Sequence, residues 1–241
     1  DQSRSIVITA PCVITAILRH DDDHTVYVRL SWLDGHRWAW KVVPLEDISV
    51  RSRAERLSRF GLPVNSNNSK MVISYLTAFY ALNRNRLPFA RVVSHMGWQR
   101  GGGFLWGSIL IGRRGGTVDV DQTDPRKWPE DTVVFDSTDG GTHDVANVYG
   151  SRGTKQGWLD AVAPLVDNRY PAAQMGLLAS LCTPLLEVLS RCGPSVPNFA
   201  IDFCGPTSTG KTSIIKVAAS CWGIPDDKTP KTPISTWDNT G

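Results

Sequence analysis

The chain has 241 residues, with 26 Lys/Arg against 23 Asp/Glu and a formal net charge of +3. That length holds two modest domains, and the composition shows no collagen-like or disordered bias. No uninterrupted apolar run approaches the roughly 18 residues of a membrane span, and no secretory leader is visible. The five cysteines form no C-x-x-C pair, which excludes a zinc ribbon or disulfide framework and predicts reduced, mostly buried thiols in a cytoplasmic protein. Because the chain begins at Asp1 rather than Met, it reads as a processed chain or a fragment.

Charge is unevenly spread. Residues 1–115 hold 16 Lys/Arg against 8 Asp/Glu, and residues 116–241 hold 10 against 15. From Arg51 to Arg114 eleven bases meet a single acid, Glu55. That asymmetry points to an electrostatic footprint for nucleic acid on the first half.

In chain order, Ser5–Thr9, Cys12–Arg19, Thr25–Trp32 and Arg37–Val43 are rich in Val, Ile, Thr, Tyr and Trp and predict a β-meander. Asp21-Asp22-Asp23 and Asp34-Gly35 supply its turns. Its aromatics, Tyr27, Trp32, Trp38 and Trp40, admit two readings: cross-strand core packing, or a stacking platform for single-stranded bases with Arg29, Arg37 and Lys41 near the phosphates. Ser52–Phe60 predicts a helix capped by Gly61, carrying Arg51, Arg53, Arg56 and Arg59 at helical spacing. Ser69 is placed to N-cap a second helix with Val72, Ile73, Leu76, Phe79 and Tyr80 on one face, followed by Arg84, Arg86 and Arg91. Short strands return at Arg91–His95, Phe104–Leu110, Thr117–Val120 and Thr132–Phe135. Among them Gly112-Arg113-Arg114-Gly115-Gly116 predicts a basic hairpin tip or a plain turn. Arg113 and Arg114 are the first candidates for phosphate contacts; Arg84, Arg86, Arg56 and Arg59 follow.

The polar, Gly-rich stretch Asp136–Arg152 sets the expected boundary between a β-rich basic domain over 1–145 and a second domain over 146–241. The second opens with a helix over Lys155–Val166. A leucine-rich helix follows from Pro171 to about Ser190, with Pro184 inside it.

Gly205-Pro206-Thr207-Ser208-Thr209-Gly210-Lys211-Thr212 then satisfies G-x-x-x-x-G-K-[ST] at every fixed position. Phe199–Cys204 before it has the length and apolarity of a buried strand, and Ser213–Trp222 after it has helical spacing and stops at Gly223. In such a loop the glycines let successive N–H groups turn toward a phosphate, and the helix start adds partial positive charge. Lys211 would reach the β- and γ-phosphates of ATP, the Thr212 hydroxyl would ligate Mg²⁺, and Ser213 completes the loop's contact set.

Around this loop the sequence resembles a known family. Thr183-Pro184-Leu185-Leu186 ends the preceding helix, and the loop is the Ser/Thr-rich form Pro206–Thr212. The helix continues Val217-Ala218-Ala219-Ser220-Cys221-Trp222-Gly223, and Thr236-Trp237 precedes Asn239-Thr240. Gly97-Trp98 after a strand and Gly157-Trp158 opening a helix are similar as well. The resemblance is to the family catalogued as domain of unknown function 927, AAA+-type ATPases of phages and mobile elements that look like hexameric replicative helicases of the minichromosome-maintenance type. It covers nearly the whole chain, specific over residues 183–241 and loose before residue 97.

The resemblance implies ATP and Mg²⁺ as cofactors, DNA (single-stranded or duplex) as partner, and a homo-oligomeric ring, a hexamer in the full-length parent. It also implies a Walker B strand, a sensor and an arginine finger. No apolar run followed by Asp-Glu occurs after Gly223, so ATPase activity is expected of a longer parent and background turnover of this chain alone. The expected fold is α/β: a P-loop NTPase (AAA+-like) core, truncated after its first strand–loop–helix, preceded by a mixed β-rich α+β domain. The expected function is the ATP-binding portion of a DNA helicase or translocase in mobile-element or phage replication. The alternative is a non-catalytic nucleic-acid-binding module whose P-loop is vestigial or senses nucleotide. A P-loop kinase is disfavoured, because a small-molecule kinase needs no basic half.

Overall fold

The computed structural model describes residues 10–136, 149, 153–166, 170–193, 196–197 and 199–225. It divides into two compact units, one of Asp1–His95 with Ser108–Asp139, the other of Met96–Gly107 with Gly140–Gly241. The segment Met96–Gly107 therefore belongs to the second unit although it lies between strands of the first. The expected strand Ser5–Thr9, nearly all of the polar boundary stretch and Thr236-Trp237 lie outside the described residues.

In the first unit, Cys12–His20 (β1), Val26–Asp34 (β2) and Arg37–Pro44 (β3) form the predicted antiparallel meander. Its register pairs Cys12 with Trp32 and Asp34 with Arg37. The two-residue turn needs a left-handed backbone, which Gly35 supplies at φ +58°. The acidic turn is held locally: Thr25 N donates to Asp23 Oδ1 at 2.9 Å, and Arg91 pairs with Asp21 at 2.7 Å.

Two further strands extend the meander into a mixed sheet. Phe89–Val93 (β4) runs parallel to β1, and Val133–Phe135 runs parallel to β4 at the edge. Ile109–Ile111 and Thr117–Asp119 pair antiparallel outside this five-stranded sheet.

One face of the sheet makes the core. Cys12, Ile14, Val28, Leu30 and Trp32 pack there with Leu57, Leu62 and Val64. Helix α2 (Ser69–Asn83) adds Val72 and Leu76. The helix expected over Ser52–Phe60 is split into a short α1 (Arg51–Ala54) and a 3₁₀ turn over Glu55–Phe60, closed by Gly61 at φ +90°. The Ser58 hydroxyl donates to the Glu55 carbonyl at 2.7 Å, competing for an acceptor that an α-helix would use. Ser69 is the first residue of α2 rather than its cap; its hydroxyl bonds Glu55 Oε1 at 3.2 Å.

In the second unit, Gly97–Trp98 pairs antiparallel with Phe104–Trp106. The single strand expected over Phe104–Leu110 stops at Trp106, because Gly107 turns at φ +59°. Three helices follow: α3 (Lys155–Val166), α4 (Pro171–Cys192) and α5 (Lys211–Ala219). Helices α4 and α5 approach closely at Gly176, where a Cβ would meet Ile214 Cγ2 at 2.7 Å.

Two expectations need correction here. Phe199–Cys204 is neither strand nor buried, and Phe199 and Ile201 are exposed. A strand exists through ladder bonds to neighbours, and the described residues supply none beside it. The thiols are not mostly buried either: Cys12 is buried, but Cys182, Cys192 and Cys204 are exposed. Cys182 and Cys192 lie on α4 away from its packed residues Ala173, Gly176 and Leu177, and Cys204 lies on the exposed loop before α5.

Helix α4 is also long and apolar enough to cross a membrane by length and composition. Counting uninterrupted runs misses it, because Gln174, Ser180, Thr183 and Glu187 punctuate the helix while its average stays apolar.

Candidate nucleotide and nucleic-acid sites

The P-loop segment wraps around one lysine. Gly205 (φ +153°), Ser208 (φ +65°) and Gly210 (φ +86°) turn the backbone, and α5 starts at Lys211 immediately after the left-handed Gly210. Left-handed geometry is costly for Ser208, since only Gly adopts it freely. Thr209 Oγ1 donates to Pro206 O at 2.9 Å and braces the turn. Lys211 Nζ donates to Gly205 O at 2.8 Å and Pro206 O at 2.6 Å, so the ammonium spans the loop. The backbone N–H groups of Ser208 and Gly210 meet no acceptor among the described residues. Pro206, Thr207, Thr212 and Ser213 are exposed, the last two on the first turn of α5. An ammonium, these open N–H donors and a helix start form a donor set suited to phosphate oxygens. Just before the loop, the Asp202 carboxylate accepts from the Cys204 thiol at 3.0 Å and holds its pKa above the usual thiol range.

The far end of α5 is fixed by indoles. Trp106 Nε1 donates to Trp222 O at 3.0 Å, Trp158 Nε1 to Ser220 Oγ at 3.1 Å, and Trp222 Nε1 to Ser180 Oγ at 2.8 Å. Trp98 Nε1 donates to Pro184 O at 2.7 Å. Each of these four half-buried indoles thereby has an acceptor, whereas the buried Nε1 atoms of Trp32 and Trp128 have none among the described residues. Helix α5 is therefore anchored at the end opposite the loop Gly205–Gly210.

The expected arginines fall into two groups. Arg113 and Arg114 are exposed at the hairpin tip, which Gly112 N→Gly116 O (2.7 Å) closes with Gly115 at φ +83°. Arg84, Arg86, Arg56 and Arg59 are also exposed and make no ion pair among the described residues. Arg51 and Arg53 are engaged: Arg51 with Glu55 (3.2 Å) and Ser66 O (2.6 Å), Arg53 with Glu46 (2.8 Å). The four-arginine stripe therefore reduces to Arg56 and Arg59.

The family described as Domain of unknown function (DUF927) matches residues 1–241. The chain belongs to that family. No curated protein matches the chain. Among solved structures, "SCCmec type IV Cch - active helicase" is similar at a TM-score of 0.61 and 16% identity, over 91% of this chain and 38% of that one. The likeness is one of fold, and the chain spans well under half the length of that neighbour. In this DUF927 chain, residue pairs that carried the resemblance meet in space, Gly97-Trp98 with Thr183-Pro184 through the Trp98–Pro184 bond.

The sequence leaves the four aromatics of the meander equivalent. The structure separates them: Trp32 lies in the core and Tyr27 is buried, whereas Trp38 is exposed and Trp40 half-buried on the opposite face. Arg29 lies 4.4 Å from the Trp40 ring centre and 5.4 Å from that of Trp128. Lys41 lies 5.3 Å from the Phe60 ring. Trp128 was missed, because nothing local in the sequence ties it to Arg29.

Proposed function

We propose that this chain is the ATP-binding portion of a DNA helicase or translocase of a mobile element or phage. The observation that carries the reading is the loop Gly205–Thr212 with its lysine folded across it. Lys211 would exchange the carbonyls of Gly205 and Pro206 for the β- and γ-phosphates, the open N–H groups of Ser208 and Gly210 would bind phosphate oxygens, and the Thr212 hydroxyl would hold Mg²⁺. The nucleotide supplies the driving free energy when bound; the chain's own residues bind and orient it. The helicase neighbour supports the reading at the level of fold. A ring of copies, with an arginine from a neighbouring copy completing each site, follows from the family resemblance.

Lys211→Ala removes one charge-assisted contact and should weaken Mg-ATP binding about 10- to 100-fold. Calorimetry on wild type and variant tests this, and equal affinities would overturn the site.

A further inference from the structure

We infer that the cleft beside Trp38 and Trp40 on the first unit's sheet binds a single-stranded polynucleotide, with these two indoles as stacking surfaces for two bases and Arg86 beside a phosphate. This rests on the reading that the first unit handles nucleic acid, and it names the surface.

The register fixes the geometry. Ser31 is opposite Trp40 and Leu33 opposite Trp38, and directly opposed residues share a face. Arg29, two residues before Ser31, is on that face too. The two indoles sit at alternate positions of β3, roughly 7 Å apart along the strand. They line a cleft of about 810 Å³ together with Thr15, Ser31, Arg29 and Arg86. That volume lies within the range of ligand sites, roughly 300–1,000 Å³. Thr15 and Ser31 present hydroxyls in its floor, 3.0 Å apart.

The electrostatics favour an anion. Arg29 is only 6% exposed, its Nε meets no hydrogen-bond partner, and it makes no ion pair among the described residues. Its Nη atoms donate only to the backbone oxygens of Thr123 (3.4 Å) and Asp121 (3.2 Å). Burial lowers the pKa of Arg29, and the charges of Asp121 and Asp124 oppose that shift. Two carboxylates share the cleft. Asp124 is tied to Arg126 by paired hydrogen bonds, and burial pushes the pKa of Asp121 up to about 6. Neither is within ion-pairing distance of Arg29. The site thus offers two ring faces with the guanidinium groups of Arg29 and Arg86 beside them, the pairing by which single strands are held without sequence preference. Arg29 acts as a positioning residue, packing behind Trp40.

Fluorescence anisotropy with labelled oligo-dT and oligo-U on the whole chain tests this. Trp38→Ala, at an exposed position that does not threaten the fold, should weaken binding about 5- to 150-fold, while Trp38→Phe restores most of it. Arg113→Ala with Arg114→Ala should lower the salt slope and leave the Trp38 factor unchanged. A preference for dT or U identifies the sugar and supports the inference either way. If the chain binds oligonucleotide but Trp38→Ala and Trp40→Ala bind equally well, the cleft assignment is overturned while nucleic-acid binding stands. No binding even at low salt overturns both. Equal competition by poly-glutamate would reassign the cleft to acidic polypeptide and overturn it as well.

Discussion

Trp32 in the first unit is 2% exposed, whereas Leu178 on α4 of the second is 59% exposed. The contrast is general. The first unit closes its sheet with α2 and the Leu57–Val64 segment, and Leu30, Leu62 and Leu76 are fully buried. In the second unit α4 leaves Met175, Leu178, Leu185 and Leu189 exposed, and α5 buries no residue fully. Contiguous apolar surface of this kind marks an interaction face. The first unit builds a fully buried core despite exposed residues such as Leu82 and Phe89, while the second presents its apolar residues as a stripe along one helix. That fits the proposal that the P-loop unit is part of a larger ATPase core.

Three measurements sharpen or break this contrast. The largest effect is expected in the core of the first unit. Leu76→Ala should cost about 2–5 kcal/mol in urea unfolding, and Leu178→Ala within about 0.5 kcal/mol. Comparable costs would show that α4 is covered in solution.

Next comes Asp121, whose folded-state pKa is raised from 3.8 to about 6 by burial and by the neighbouring Asp119. For such an acid the stabilising contribution is fully present below pH 3.8 and is lost as pH rises through 6. The first unit should therefore lose at most about 3 kcal/mol between pH 4 and pH 7 from this group. Asp121→Asn should flatten that slope, and an unchanged slope by chemical denaturation would locate the titration elsewhere.

The smallest effect is at Gly176. A Cβ there meets Ile214 Cγ2 at 2.7 Å and Phe203 Cζ at 3.3 Å, and the methyl sits on a stiff β-branched carbon. Helix propensity favours Ala by about 1 kcal/mol and overpacking costs about 1–3 kcal/mol, so Gly176→Ala should be modestly destabilising. Pairing it with Ile214→Ala should remove the clash. A stabilised single variant would mean that α4 and α5 pack less tightly than described.

Local chemistry was legible in the sequence and distant pairing was not. The strands β1 to β3 and their turn at Gly35 follow from alternation and from Asp34-Gly35, and the turn at Gly210 followed by a helix from Lys211 follows from the glycine spacing. The parallel placement of β4 beside β1 depends on contacts seventy residues apart, which no local pattern encodes. The same holds for the site. Trp38 and Trp40 were visible as aromatics, but which face they share depends on their pairing with β2. The unpaired burial of Arg29 depends on Trp128, far along the chain. Phe199–Cys204 failed as a strand for a related reason: apolarity predicts a buried strand only where neighbours exist to bury it.

The excursion of Met96–Gly107 carries a practical consequence for dissecting the molecule. Because the second unit is assembled from two separate stretches, no single peptide-bond cleavage yields both units whole. A fragment begun near residue 140 would lack Trp98 and Trp106 and strip the carbonyls of Pro184 and Trp222 of their indole donors. Its failure to fold or to bind nucleotide would then report the missing hairpin rather than the quality of the P-loop. A peptide covering residues 96–107, supplied in trans, is the natural complement to such a fragment.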